Sequence, residues 1–200
     1  RVDFIQSPFI SMPEIKKCNR KKESVYFFSV GRLVSRKNII NVIKALDILR
    51  DSLPFFQYYI AGEGKEYNKI YSLVKERNLE NICKVLGRIS EKEKYELFSC
   101  ADFFLMPSII DDNNVEGYGI SLIEANCYGI PVLSGNSGGM PEAVVEGVTG
   151  LTTDGTVDDI VDKIKSLLNT DFDKDKIKQH ALSHSILKQH QFVDFVHQII

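Results

Sequence analysis

Three observations predict an α/β fold built on a parallel sheet. Short apolar runs alternate with stretches of helical period from about residue 25 to residue 170. Several of the apolar runs end at glycine, as strands do where they pass into ligand-facing loops. The composition is that of an ordinary globular protein: of 200 residues, 44% are hydrophobic and 26% charged. This balance excludes a disordered tail, a collagen-like rod and a disulfide-knit miniature. No uncharged apolar run approaches the ~18 residues that a membrane-spanning helix needs. Lys and Arg number 25 against 27 Asp and Glu, a net charge of −2, which argues against non-specific nucleic-acid binding.

Residues 1–24 read as a connector, with Phe4, Ile5, Phe9 and Ile10 apolar, Pro8 and Pro13 breaking regular structure, and a basic stretch at 16–22 taken as a solvated loop. The chain opens at Arg1 without an initiator Met or a signal-like segment and is expected to be a piece of something longer. The first strand is expected at 25–31, an apolar run rich in β-branched and aromatic residues that reads as buried on both faces. Ile39, Ile43, Leu46 and Leu49 then fall at helical spacing over 38–51. Further strands are expected at 57–61, 83–86, 102–106 and 131–134 and around Leu151. Helices are expected at 65–77, 91–99, 120–128, 141–146 and 157–168. The whole of 25–170 is then one Rossmann-like domain, a parallel sheet with helices on both faces. Residues 171–200 form a helical tail whose apolar end begins at Phe192.

Cys18, Cys83, Cys100 and Cys127 lie far apart, with no C-x-x-C pair and no metal-ligand spacing. They are expected to be structural thiols, which places the protein in a reducing, cytoplasmic compartment. Gly62 and Gly64 begin a G-x-G-x-x-G pattern, but its third position is Tyr67 and no acidic residue ends the next strand, so the dinucleotide fingerprint fails. No phosphate-binding P-loop pattern occurs. His180 and His184 sit four apart on a probable helix without a third ligand, and are expected to be surface residues. No metal or cofactor is expected.

Chemistry is expected at the strand ends. Nine of the 13 glycines fall between Gly117 and Gly155. Glu116 and Glu124, separated by seven residues, flank the start of the helix at 120, whose first amides lack intrahelical partners and can meet a phosphate or sugar oxygen. Gly117 and Gly119 let the backbone approach a ligand. Glu116 can accept from sugar hydroxyls, and Glu124 from the vicinal hydroxyls of a ribose. Arg32 and Lys37 follow the first strand, and their charges suit a diphosphate leaving group without a metal.

Taken together these segments resemble the carboxy-terminal, donor-binding domain of a retaining GT-B glycosyltransferase of family four, the glycosyl transferases group 1. The resemblance runs through Val30-Gly-Arg-Leu33 with Arg36-Lys37, Ile60-Ala-Gly-Glu-Gly64, Val85-Leu-Gly87, Ala101-Asp102 and Pro107-Ser108. It continues through Glu116-Gly-Tyr-Gly-Ile-Ser-Leu-Ile-Glu-Ala125, Gly129-Ile-Pro-Val132, Gly138-Gly139, Pro141-Glu142 and Gly147-Val-Thr-Gly150. It implies one half of a GT-B fold, with a nucleotide-sugar donor bound here and a glycan or lipid-linked acceptor bound mainly by a preceding amino-terminal domain. By position it gives Arg32, Lys37 and Glu116 the catalytic roles. Gly87 and Arg88 would face the base, Gly117, Tyr118, Gly119 and Ile120 would hold sugar and phosphate, and Glu124 would hold the ribose. The implied reaction is hexosyl transfer with retention, through an oxocarbenium-like transition state. GDP-mannose is the favoured donor, with UDP-sugars close behind, in bacterial surface-glycan synthesis. A cytoplasmic enzyme is implied, compatible with peripheral association of the full-length protein at the inner face of the membrane.

Two positions depart from the family pattern. Asn38 stands where Gly usually follows the lysine, and tolerates a left-handed backbone; Tyr118 replaces a common Phe. Two rival functions remain at this level: a non-catalytic nucleotide- or glycan-binding module of the same fold, and a sugar–phosphate isomerase or epimerase. The four retained charges argue against the first, and the lack of histidine in the candidate loops against the second.

Overall fold

The computed structural model describes residues 24–53, 55–111 and 115–183. The expected connector and the apolar end of the tail lie outside these residues, apart from Ser24. Six strands form one sheet: β1 (Val25–Val30), β2 (Phe56–Ala61), β3 (Cys83–Gly87), β4 (Phe103–Met106), β5 (Val132–Gly135) and β6 (Gly150–Thr153). Every pairing is parallel, and the order is β3-β2-β1-β4-β5-β6. The helices between them are α1 (Ile39–Leu49), α2 (Tyr67–Glu76), α3 (Glu91–Cys100), α4 (Ile120–Cys127) and α5 (Val157–Asn169). Residues 174–183 are helical as expected.

The inner strands β1, β4 and β5 are buried on both faces, and the alternation of side chains divides the core in two. Phe27, Leu105, Leu133 and Leu151 point to one face, where α1, α2 and α5 cover them through residues such as Val42, Leu46, Ile70 and Ile164. Phe28, Phe104, Met106 and Val132 point to the other, beneath Phe98 of α3, Leu122 of α4 and Ala181. The ring of Phe28 packs edge-on against Phe98 with centroids 5.1 Å apart, which locks α3 over the middle of the sheet. No helix among the described residues is long and apolar enough to cross a membrane.

Three expectations need correction. The helix expected at 141–146 is only a 3-10 turn, Met140–Ala143. Met140 and Pro141 open it, and the β-branched pair Val144-Val145 leads away with Val144 in an extended conformation, so there is no run long enough to nucleate an α-helix. His180 is half-buried rather than exposed, hydrogen-bonded to the backbone of Ala143, and its burial holds the imidazole below its usual range. Cys83 and Cys127 are free and buried, their thiols pushed up to about 12 by desolvation. Cys100, however, is disulfide-bonded, so cysteine usage carries no argument about compartment.

Asn38 is left-handed, with φ 59° and ψ 27°, as its place after Lys37 led us to expect. Its buried side chain also ties three loops together. The amide nitrogen donates to the carbonyl of Pro107 at 3.2 Å and to that of Gly155 at 2.8 Å. Asn38→Ala is expected to destabilise the fold by about 2–4 kcal/mol, through loss of these bonds and the strain of a left-handed alanine. Asn38→Gly, free of that strain, is expected to lose measurably less. Equal losses in chemical denaturation would contradict the left-handed assignment.

Candidate active site

In a parallel sheet, ligands bind beyond the carboxyl ends of the strands where the strand order reverses. Here the reversal lies between β1 and β4, so the loops that follow these two strands face each other across the crevice. They are stitched together: the Ile109 amide donates to the Arg36 carbonyl at 2.8 Å, beside the Asn38–Pro107 bond. After β1 the chain makes a 3-10 turn, Ser35–Lys37, which brings Arg36 and Lys37 to the crevice.

Glu116 meets them from the other side. Its Oε2 accepts from Lys37 Nζ at 2.9 Å and from Arg36 Nε at 3.1 Å, and the three side chains are 11–17% exposed. Burial alone would raise the Glu116 carboxyl, but the hydrogen bond and charge of Lys37, reinforced by Arg36, hold it below its ordinary value. For Lys37 burial wins. Desolvation, with repulsion from Arg36 and Arg32, outweighs Glu116 and lowers the ammonium below its ordinary 10.5. Lys37 Nζ also lies 3.3 Å from Met106 Sδ, at the end of β4.

Arg32 stands exposed at the rim, with no ion pair among the described residues. A cavity at the ends of β1, β2 and β4 is lined by Gly31, Arg32, Lys37, Ala61, Leu105 and Met106. Gly119 takes φ +73° and caps α4. Its left-handed turn presents the N-terminal amides of that helix, beginning with exposed Ile120. A Cβ on Gly117 would meet nothing within 4 Å, so this stretch of backbone borders open space. Gly138 supports it from behind: a Cβ there would stand 2.4 Å from the Glu116 carbonyl oxygen. The Tyr118 hydroxyl is pushed up to about 12 by burial, with a contribution from Glu142, and stays protonated as a donor.

The remaining expected residues are more distant. Glu124 projects from α4 toward α3 and is held by Lys94, Oε1 to Nζ, at 3.1 Å. Gly87 and Arg88 lie at the end of β3, on the same sheet edge but two strands beyond β1. Gly87 is left-handed with φ +68°, and Arg88 is exposed. Arg36 and Lys94 were not expected. Arg36 had a signal, its place beside Lys37; Lys94 had none, since its partner lies 30 residues away on another helix. Among the described residues no three His, Cys, Asp or Glu side chains cluster as metal ligands would.

Comparison with known proteins agrees with this geometry. The model of the family described as glycosyl transferases group 1 matches residues 11–184. The chain belongs to that family. It is 34% identical over 163 residues to a GDP-mannose-dependent monoacylated alpha-(1-6)-phosphatidylinositol monomannoside mannosyltransferase of Corynebacterium glutamicum, covering 78% of this chain and 41% of that protein. It is 34% identical over 123 residues to a putative colanic acid biosynthesis glycosyltransferase, WcaL, of Salmonella typhimurium, covering 61% of this chain and 30% of the relative. The chain therefore spans less than half the length of these curated relatives. Among solved structures, HepE of Anabaena in complex with UDP and glucose superposes with a TM-score of 0.69 at 21% identity, over 87% of this chain and 48% of that one. The C-terminal domain of a group 1 family glycosyl transferase, LpcC, of Francisella tularensis matches with a TM-score of 0.64 at 20% identity, over 84% of this chain and 86% of that one. The group 1 domain thus carries the Rossmann-like half of a GT-B glycosyltransferase.

The lowered Lys37 ammonium sets a sign for this group 1 domain. The side chain attracts a diphosphate only while protonated, so affinity for a nucleoside diphosphate is expected to fall as pH rises, beginning below the ordinary 10.5. Lys37→Arg, charged throughout, is expected to hold its affinity over the same range. Calorimetric titration across alkaline pH reads this, and a pH-independent wild-type affinity up to the ordinary lysine value would contradict it.

Proposed function

We propose that the chain is the donor-binding half of a retaining hexosyltransferase that transfers mannose from GDP-mannose to a glycan or lipid-linked acceptor. One observation carries the reading: Arg36 and Lys37 converge on Glu116 at the point where the strand order reverses, with Arg32 beside them in no ion pair among the described residues. In this reading the diphosphate lies beside these cations, between the β1 loop and the amides at the start of α4, where their charge favours it. In transfer, the bond from the anomeric carbon to the β-phosphate oxygen breaks. The acceptor oxygen then bonds to the same face of the carbon, and its proton passes to the departing phosphate. Arg32 and Lys37 neutralise the charge that builds on that phosphate, and no metal is needed for it. Glu116 accepts from sugar hydroxyls, and Glu124 from the ribose.

Two comparisons support the donor class. The Corynebacterium relative is described as GDP-mannose-dependent, and the HepE structure holds UDP and glucose. The acceptor belongs, in this reading, to the part of the enzyme that the chain does not span.

The chain alone is expected to bind a nucleoside diphosphate weakly and to have no transferase activity. Titration with GDP, UDP and ADP is expected to give the most heat with GDP, and Glu124→Ala to weaken it by ~1.5–3 kcal/mol, the worth of hydrogen bonds to a charged group. No heat with any of the three in a folded sample overturns the donor site, and an unchanged affinity removes Glu124 from it.

A further inference from the structure

Lys94 lies apart from the diphosphate cluster, and its surroundings mark it for a second task. The first turn of α3 is fixed by a capping box: the Glu93 amide donates to Ser90 Oγ at 3.3 Å, and the Ser90 amide donates to the Glu93 carboxylate at 2.7 Å. From this fixed turn the Lys94 ammonium reaches Glu91 Oε2 at 2.8 Å and Glu124 Oε1 at 3.1 Å. Glu91 is 72% exposed, so its pair adds little. Lys94 and Glu124 are only 14% and 16% exposed, and this covered pair is the one that matters. Burial alone would lower the Lys94 ammonium, but the bonds to Glu91 and Glu124 outweigh it and hold it above its ordinary range.

The bond occupies one oxygen of Glu124 and leaves the other without a hydrogen bond among the described residues. Such a carboxylate is anchored but still open. A glutamate on a helix surface otherwise samples several rotamers and loses that freedom on meeting a ligand; holding it beforehand removes the loss. The ammonium has three donors, so after two carboxylates it retains one for a ligand oxygen.

We propose that Lys94 is a positioning residue for the ribose of the donor, fixing Glu124 so that its free oxygen meets the vicinal hydroxyls. This rests on the assignment of Glu124 to the ribose, and a test that varies the hydroxyls separates the two. Lys94→Met keeps the hydrocarbon stem and removes the charge. Titrating the chain with GDP and with 2′,3′-dideoxy-GDP, Lys94→Met is expected to weaken GDP about 5–10-fold, the net worth of one ordinary hydrogen bond. It is expected to leave the dideoxy compound unchanged, and to add nothing when combined with Glu124→Gln. Lys94→Gln, which retains a donor without the charge, supplies a second variant, with the same selective loss expected. A purely structural role would weaken both nucleotides alike, and that result, or no loss for either, overturns the proposal. If GDP binding depends on Glu124 but ignores Lys94, the positioning role fails and the ribose assignment stands. If the wild-type chain binds GDP and its dideoxy analogue equally, both fail.

Discussion

Glu116 accepts from Lys37 at 2.9 Å and from Arg36 at 3.1 Å, and these contacts join the loop after β1 to the loop after β4 across the reversal in strand order. Much of the sheet's carboxyl edge is arranged to make that meeting possible. Asn38 turns left-handed so that α1 can start directly after the lysine, and its amide pins the Pro107 carbonyl opposite. Gly138 leaves room for the Glu116 backbone, and Gly119 turns the chain into α4. The carboxylate is thereby ionised and fixed, while Lys37 remains charged at a penalty from burial that a bound anion would relieve.

The fold was legible because its inner strands are buried on both faces. Continuous apolar runs such as 25–30 and 103–106 leave little room for another reading, and the amphipathic period of α1 and α5 is plain. The failure at 141–146 has a local cause: alternation alone suggested a helix where the β-branched pair that follows Ala143 turns extended and leaves only a turn. Asn38 was legible through backbone preference alone, but its second task, bonding carbonyls 69 and 117 residues away, is tertiary and leaves no local trace.

The site divides in the same way. Residues set by backbone geometry, Gly119 and the start of α4, could be placed from glycine spacing and helix period. So could Lys37 and Glu116, which stand in the loops that follow β1 and β4. Their coupling was less visible. Two carboxylates expected to meet substrate directly are each also engaged, through one oxygen, by a cation of the chain, Glu116 by Lys37 and Arg36 and Glu124 by Lys94. Long flexible side chains from neighbouring elements make these pairs, and no sequence period records which way such side chains turn. In the proposed reading the pairs let an acidic site face a polyanion: the carboxylates are compensated in advance, and Arg32 has no ion pair among the described residues.

The most direct test of this account is a crystal structure of the chain with GDP bound. The diphosphate is expected between the 31–37 loop and the amides at the start of α4, within reach of Arg32 and Lys37, and the ribose hydroxyls on the free oxygen of Glu124. A nucleotide bound elsewhere, or seated there with its phosphates turned away from Lys37, would contradict it.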